Sequence, residues 1–156
     1  MDTSDHGAPP PGGLARFAAE LLVEDLEASL AFWRGALGFE IAYRRPAERF
    51  VYLERPDGPQ LMLSARAPQR GRNETAALER PYGRGVLFQL TVDALEPVLD
   101  AAARAGARVH EAPHEEWRRV GDRELGRREV KLLDPDGYLV LVAEDVGERP
   151  SRPGSA

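Results

Sequence analysis

Four stretches in the first half of the chain read as strands, by alternation of apolar and polar positions or by short apolar runs: 17–23, 39–45, 49–54 and 59–65. Between the first two, Leu26, Leu30, Trp33 and Leu37 recur at helical spacing. Asp25 stands where an N-cap is needed and Gly38 where the helix must stop. The predicted order is strand, helix, strand, strand, strand. The second half repeats it. A strand at 86–92 precedes a helix marked by Leu95, Val98, Leu99 and Ala102, which Gly106 ends. Asp93, with Glu96 three residues on, has the form of a capping box. Strands at 107–111, 128–133 and 138–144 follow. In both halves a Pro-Asp-Gly turn, at 56–58 and 135–137, leads into the last strand.

The two halves are in register. Val23, Leu26, Glu27 and Leu30 match Val92, Leu95, Glu96 and Leu99, each 69 positions later, and the two turns match at 79. The second half has therefore gained residues between its helix and its turn, largely within 112–125. Several identities in one register make duplication the better reading than chance. The predicted fold class is α+β, two tandem βαβββ modules. Module 1 spans about 15–66 and module 2 about 85–146, joined by a linker at 67–84, in a single domain at 14–146. Residues 1–13 and 147–156, rich in Pro and Gly, read as a disordered N-terminal and a flexible C-terminal tail.

Composition narrows the chemistry. The chain of 156 residues has no cysteine, which excludes disulfides, thiolate metal sites and thiol nucleophiles. Lys131 is the only lysine, and the arginines are interleaved with acids at a net charge of −5. No clustered basic face suggests nucleic acid, and no apolar run suggests a membrane span. The expected location is the cytoplasm. No G-x-S-x-G elbow or P-loop occurs, and Gly83-Arg84-Gly85 reads as a hinge between modules. Outside the tail the histidines are His110 and His114. Pro113 between them argues against a shared helix face, and a strand end followed by a loop is the preferred reading.

The paired βαβββ pattern, "VEDLEASLAFWRGALGFE" near the start and "GRREVKLLDPDGYLVLVAE" near the end, resembles the vicinal oxygen chelate superfamily over residues 15–146. That superfamily includes glyoxalase I, extradiol dioxygenases, and fosfomycin- and bleomycin-resistance proteins. The likeness is strongest to the bleomycin-resistance branch. It implies curled mixed sheets forming a cleft, with a helix over the outer face of each sheet. Parity then assigns Leu21, Val23, Leu61, Leu63, Phe88, Leu90, Val92, Val140 and Val142 to the helix-covered core. The opposite parity gives a mixed wall: Ala18, Glu20, Leu22, Gln60, Met62, Ser64, Leu87, Gln89, Thr91, Leu139, Leu141 and Ala143.

The superfamily's metal-ligand positions fall on Ala18, Met62, Leu87 and Leu141, so the resemblance implies no metal and no cofactor here. Bleomycin-resistance proteins act as homodimers that sequester a drug between subunits. By that likeness Tyr43, Ser64 and Glu129 fall at drug-site positions. Their tryptophan before the Gly-Arg-Glu motif is missing, since Leu125-Gly126-Arg127 stands there, and Trp117 is a possible substitute. Their first-strand proline is Ala19 here. The expected ligand-binding set is Glu20, Tyr43, Phe50, Met62, Ser64, Gln89, Trp117 and Glu129, with no catalytic residue. The expected function is metal-free sequestration of a cationic, aromatic small molecule, bleomycin-like in type, by a homodimer. The alternative is an isomerase, lyase or dioxygenase-like enzyme of the same fold acting on a small metabolite, with Glu20 or Glu129 as general base for an isomerase or lyase.

Overall fold

The computed structural model describes residues 6–151, and the chain divides into two compact units at Arg80/Pro81. The boundary falls inside the stretch 67–84. In the first unit β1 (Glu20–Val23) leads to α1 (Leu26–Leu30), which runs on as a π-helical segment, Ala31–Ala36. Then come β2 (Glu40–Arg45), a 3-10 turn at Pro46–Glu48, β3 (Phe50–Glu54), β4 (Gln60–Ala65) and the short α2 (Arg66–Gln69). The second unit holds β5 (Leu87–Thr91), α3 (Glu96–Arg104), β6 (Arg108–Val120), β7 (Arg123–Leu133) and β8 (Leu139–Pro150). Each unit carries one four-stranded mixed sheet, ordered β1-β4-β3-β2 and β5-β8-β7-β6. This is the α+β, two-module architecture that the repeat predicts.

Strand register confirms the duplication residue by residue. Glu20 pairs with Met62 in the first parallel ladder, and Gln89 with Leu141 in the second. These are the partners that offsets of 69 and 79 require. The helix-covered faces are largely buried as parity predicts, but Leu22, Ser64, Leu141 and Ala143 of the opposite faces are buried as well, and Phe88 only half so. Val23, Leu63, Val140 and Val142 are at most 1% exposed, and Leu53, Val130 and Leu132 join them on the covered side. Trp33 and Phe32, at helical spacing, are core residues at 2% and 4% exposed.

Several local expectations change. The first strand begins at Glu20, so Ala18 precedes it. Asp25 caps α1 as expected, accepting from the amides of Glu27 and Ala28 at 3.0 and 3.2 Å. The Asp93 capping box does not form. α3 starts at Glu96 with Pro97 in its first turn, and the Leu95 amide donates to the Glu144 carboxylate. Pro97 presets φ for a helix start later than the box requires, and a distant carboxylate takes the amide that Asp93 would have served. Asp25→Ala is accordingly expected to cost about 1 kcal/mol in urea unfolding. Asp93→Ala should stay within about 0.5 kcal/mol, as for an ordinary surface change.

The residues between 112 and 125 are not a loop. They form most of a long hairpin in which β6 pairs with β7 from Arg108↔Leu133 to Val120↔Arg123. A charged strand shows no apolar alternation. Pro113 is tolerated because β6 is an edge strand and the ladder is irregular on both sides of Glu111. β8 likewise continues beyond 146 to Pro150, paired with β7. At the other end, the Ala8 amide donates to the Ala42 carbonyl and the Arg44 amide to the His6 carbonyl, at 3.2 and 2.9 Å. Residues 6–8 thereby lie along the outer edge of β2 instead of hanging free.

Candidate functional site

The open face of the first sheet is built from alternate residues of its four strands. Pairings of Tyr43 with Tyr52, Phe50 with Ser64 and Tyr52 with Met62 set these side chains on one surface. Tyr43 stacks on Tyr52 with ring centroids 5.1 Å apart and planes 13° from parallel, and lies 6.0 Å from Phe50. The Arg45 guanidinium sits 3.9 Å over the Phe50 ring. Beside this aromatic row the Ser64 hydroxyl donates to Glu20 Oε1 at 2.6 Å. Glu20 itself is exposed. At the far end the Tyr52 hydroxyl donates to Gln60 Oε1 at 2.5 Å, and Gln60 Nε2 donates to the Gly13 carbonyl at 3.0 Å.

The open face of the second sheet has a different chemistry at equivalent places. Glu129 pairs with Ala143, and Lys131 with Leu141. In the first sheet the matching pairs are Phe50 with Ser64 and Tyr52 with Met62. An aromatic row in one module has thus become an ionic cluster in the other. Glu129 is 1% exposed, and Arg118 grips it with two hydrogen bonds, of 2.8 and 2.7 Å. His114 Nε2 stands 3.5 Å from Glu129 and 3.4 Å from Glu111, and Lys131 pairs with Glu111. The Arg118 hydrogen bonds outweigh burial and hold the Glu129 carboxyl below the usual glutamate range. Lys131 acts on Glu111 in the same direction.

These positions sort the expected ligand set. Glu20 and Gln89 are exposed, and Tyr43 and Met62 half-buried, each on the open face of its own sheet. Phe50, Ser64 and Glu129 are at most 2% exposed and act behind others: Phe50 beside Tyr43, Ser64 on Glu20, Glu129 through Arg118. Trp117 pairs with Gly126, on the opposite face of the hairpin from Glu129. Its ring fills the place of a side chain at Gly126, where a Cβ would lie 2.6 Å from it, and Arg149 covers the ring at 4.1 Å. The tryptophan therefore staples the hairpin to β8, away from the Glu129 face. Arg118 was missed by the sequence reading. Its parity with His114 would have flagged it, had 112–125 been read as a strand.

A metal does not fit the inherited positions. Ala18, Leu87 and Leu141 carry no donor atom and Met62 only a thioether, which suits neither a hard nor a borderline cation. Among the described residues no three His, Asp or Glu side chains are arranged to hold an ion. No described helix is long and apolar enough to cross a membrane.

Known proteins resemble this chain in sequence and, in two of the three structures below, in fold. The profile of the glyoxalase/bleomycin resistance protein/dioxygenase superfamily matches residues 13–142. A crystal structure of a member of that superfamily from Vibrio splendidus 12B01 is 31% identical, covering 81% of this chain and 95% of its own, with a TM-score of 0.37. A glyoxalase/bleomycin resistance protein/dioxygenase from Nocardioides is 20% identical with a TM-score of 0.60, covering 92% of this chain and 89% of its own. A glyoxalase-related enzyme from Fulvimarina pelagi is 21% identical with a TM-score of 0.59, covering 84% of this chain and 88% of its own. No curated protein matches the chain.

Proposed function

We propose, from the premise that this chain belongs to the glyoxalase/bleomycin resistance protein/dioxygenase superfamily, that it binds a cationic, aromatic small molecule without metal and without changing it chemically. One observation carries the reading. The superfamily's ligand positions hold Ala18, Met62, Leu87 and Leu141, while the wall around Met62 supplies a stacked aromatic row and an exposed carboxylate.

Each part has a physical role. Tyr43 offers a ring already backed by Tyr52, so a flat ligand ring gains stacking area with little side-chain ordering to lose. Glu20 is oriented by Ser64 through one oxygen and keeps the other for a ligand cation. Arg45 over Phe50 shows, within the protein, the cation–aromatic contact that such a ligand would repeat on this face. Met62 adds adaptable apolar contact. Sequestration then follows from affinity alone.

Bleomycin is the ligand type to try first, and a homodimer is the proposed assembly. Phe17 at 95% and Leu87 at 48% exposed leave apolar surface that association would cover. Calorimetric titration with a bleomycin-class glycopeptide, alongside sedimentation, tests both. Glu20→Ala should weaken binding about tenfold, the loss of one charge-assisted contact. Tyr43→Ala should weaken it about fivefold. Flat titrations of the parent protein, or affinities unmoved by both changes, would remove this ligand assignment. The enzymatic alternative finds less support at Glu129, because a carboxyl held low by Arg118 is a poorer base than an ordinary one.

A further inference from the structure

In the first unit three cavities of about 410, 370 and 470 Å³ lie side by side, reaching the aromatic row only at Tyr43 in the first and Phe50 in the second. They share their walls. Arg44 lines the first two, Arg34 the first and third, and Glu27 and Leu30 the second and third. Together they form a trough that runs from the edge strand β2 onto the face of the helix carrying Glu27, Ala31 and Arg34. Its floor is apolar: Leu26, Leu30, Phe39 and Val51 are at most 8% exposed.

The cations of this trough differ from the paired arginines of the protein. Arg55, Arg66, Arg118, Arg123, Arg127 and Arg149 are each held by a carboxylate. No ion pair or hydrogen bond engages the guanidinium of Arg34, Arg44 or Arg49 among the described residues. Arg44 pairs with Val51, which puts it on the helix side of the sheet, at the margin of the core. Arg49 adopts φ 51°, the only left-handed conformation of a non-glycine residue among those described. Glycine or asparagine would take that place with less strain. An arginine there is a local inconsistency that folding alone does not explain.

We infer that this trough is a second binding site, for an organic anion: a carboxylate or phosphate group carried on an apolar body. The guanidinium forks match either head group in bidentate fashion, and the leucines and Phe39 receive the body. Glu27 and Glu40, also in the walls, disfavour polyanions. Glu20 lines none of the three cavities and Tyr43 only the first, so the site stands apart from the carboxylate of the function proposed above.

Octanoate and octyl phosphate serve as probes, with octanol and octyltrimethylammonium as controls, in calorimetric and amide chemical-shift titrations of the full chain. The expected result is saturable binding of the two anions only, with shifts centred on residues 26–49. Arg44→Gln and Arg34→Gln should each weaken binding about tenfold, as loss of a charge-assisted hydrogen bond implies. Arg104→Gln and Glu20→Ala should leave it unchanged. Arg49→Gly should weaken it while the melting temperature stays equal or rises, which separates a ligand-binding role from a folding role. Equal binding of octanol, or affinities indifferent to Arg34 and Arg44, would overturn the inference.

Discussion

Gly137→Ala is expected to destabilise the protein by about 3 kcal/mol or more, whereas Gly58→Ala should cost about 1 kcal/mol. The two glycines end the same Pro-Asp-Gly turn in the two modules, and both have left-handed φ values, 100° and 112°. Their surroundings differ. A Cβ at Gly58 meets nothing within 4 Å, so only the backbone preference is lost. A Cβ at Gly137 falls 2.5 Å from Pro81 Cβ and 2.8 Å from Pro81 Cα. That stretch of chain is tied in place, since the Tyr82 amide donates to the Asp136 carbonyl at 2.8 Å. The backbone has to yield in the second module, and nothing has to yield in the first. Urea unfolding of the two variants measures the difference directly. Equal costs would mean that Pro81 gives way easily, and that the segment leading into the second module is loosely held.

The second large effect concerns the ion pair at the centre of the ionic cluster. Arg118→Met should cost roughly 2 kcal/mol, because Glu129 stays almost fully buried and loses both of its strongest hydrogen bonds. Arg118 is itself half exposed, which keeps the cost below that of a fully buried pair. Most of the loss should return in Arg118→Met/Glu129→Gln, where no charge is left behind. The pair also sets a pH dependence. Glu129 binds its proton less readily folded than unfolded, so its contribution is fully present above the ordinary glutamate value of 4.5. It is lost as the pH falls through the lower folded value. Unfolding curves taken from neutral pH down to about pH 3 should therefore fall less steeply for Glu129→Gln than for the parent. In Arg118→Met burial acts without its counterweight, and this acid limb should weaken or reverse. An unchanged limb in both variants would show that the pair is too well solvated to matter.

The open face of the first sheet was legible because its strands announce themselves. Glu20, Met62 and Ser64 stand on apolar strands whose alternation fixes their face, and Tyr43 is one short turn away from Phe50. The open face of the second sheet was harder to read. Arg118 and Trp117 are neighbours in a strand whose charged sequence resembles a solvated loop, and only pairing with β7 assigns them to opposite faces. The parity rule held there too, but it had no apolar pattern to reveal it.

What the sequence by itself determined is the duplication, the order of elements and the sidedness of the apolar strands. Each of these is a local or periodic property: a turn that needs proline and glycine, a stripe at helical spacing, an alternation of two. Only the tertiary structure decided which residues of the open faces stay within reach of a ligand, and which are closed off. Glu20 and Glu129 are both carboxylates facing away from the helices, yet one is exposed and the other gripped by an arginine across a hairpin. Burial and pairing depend on what neighbouring strands bring alongside, and no pattern along a single strand contains that information.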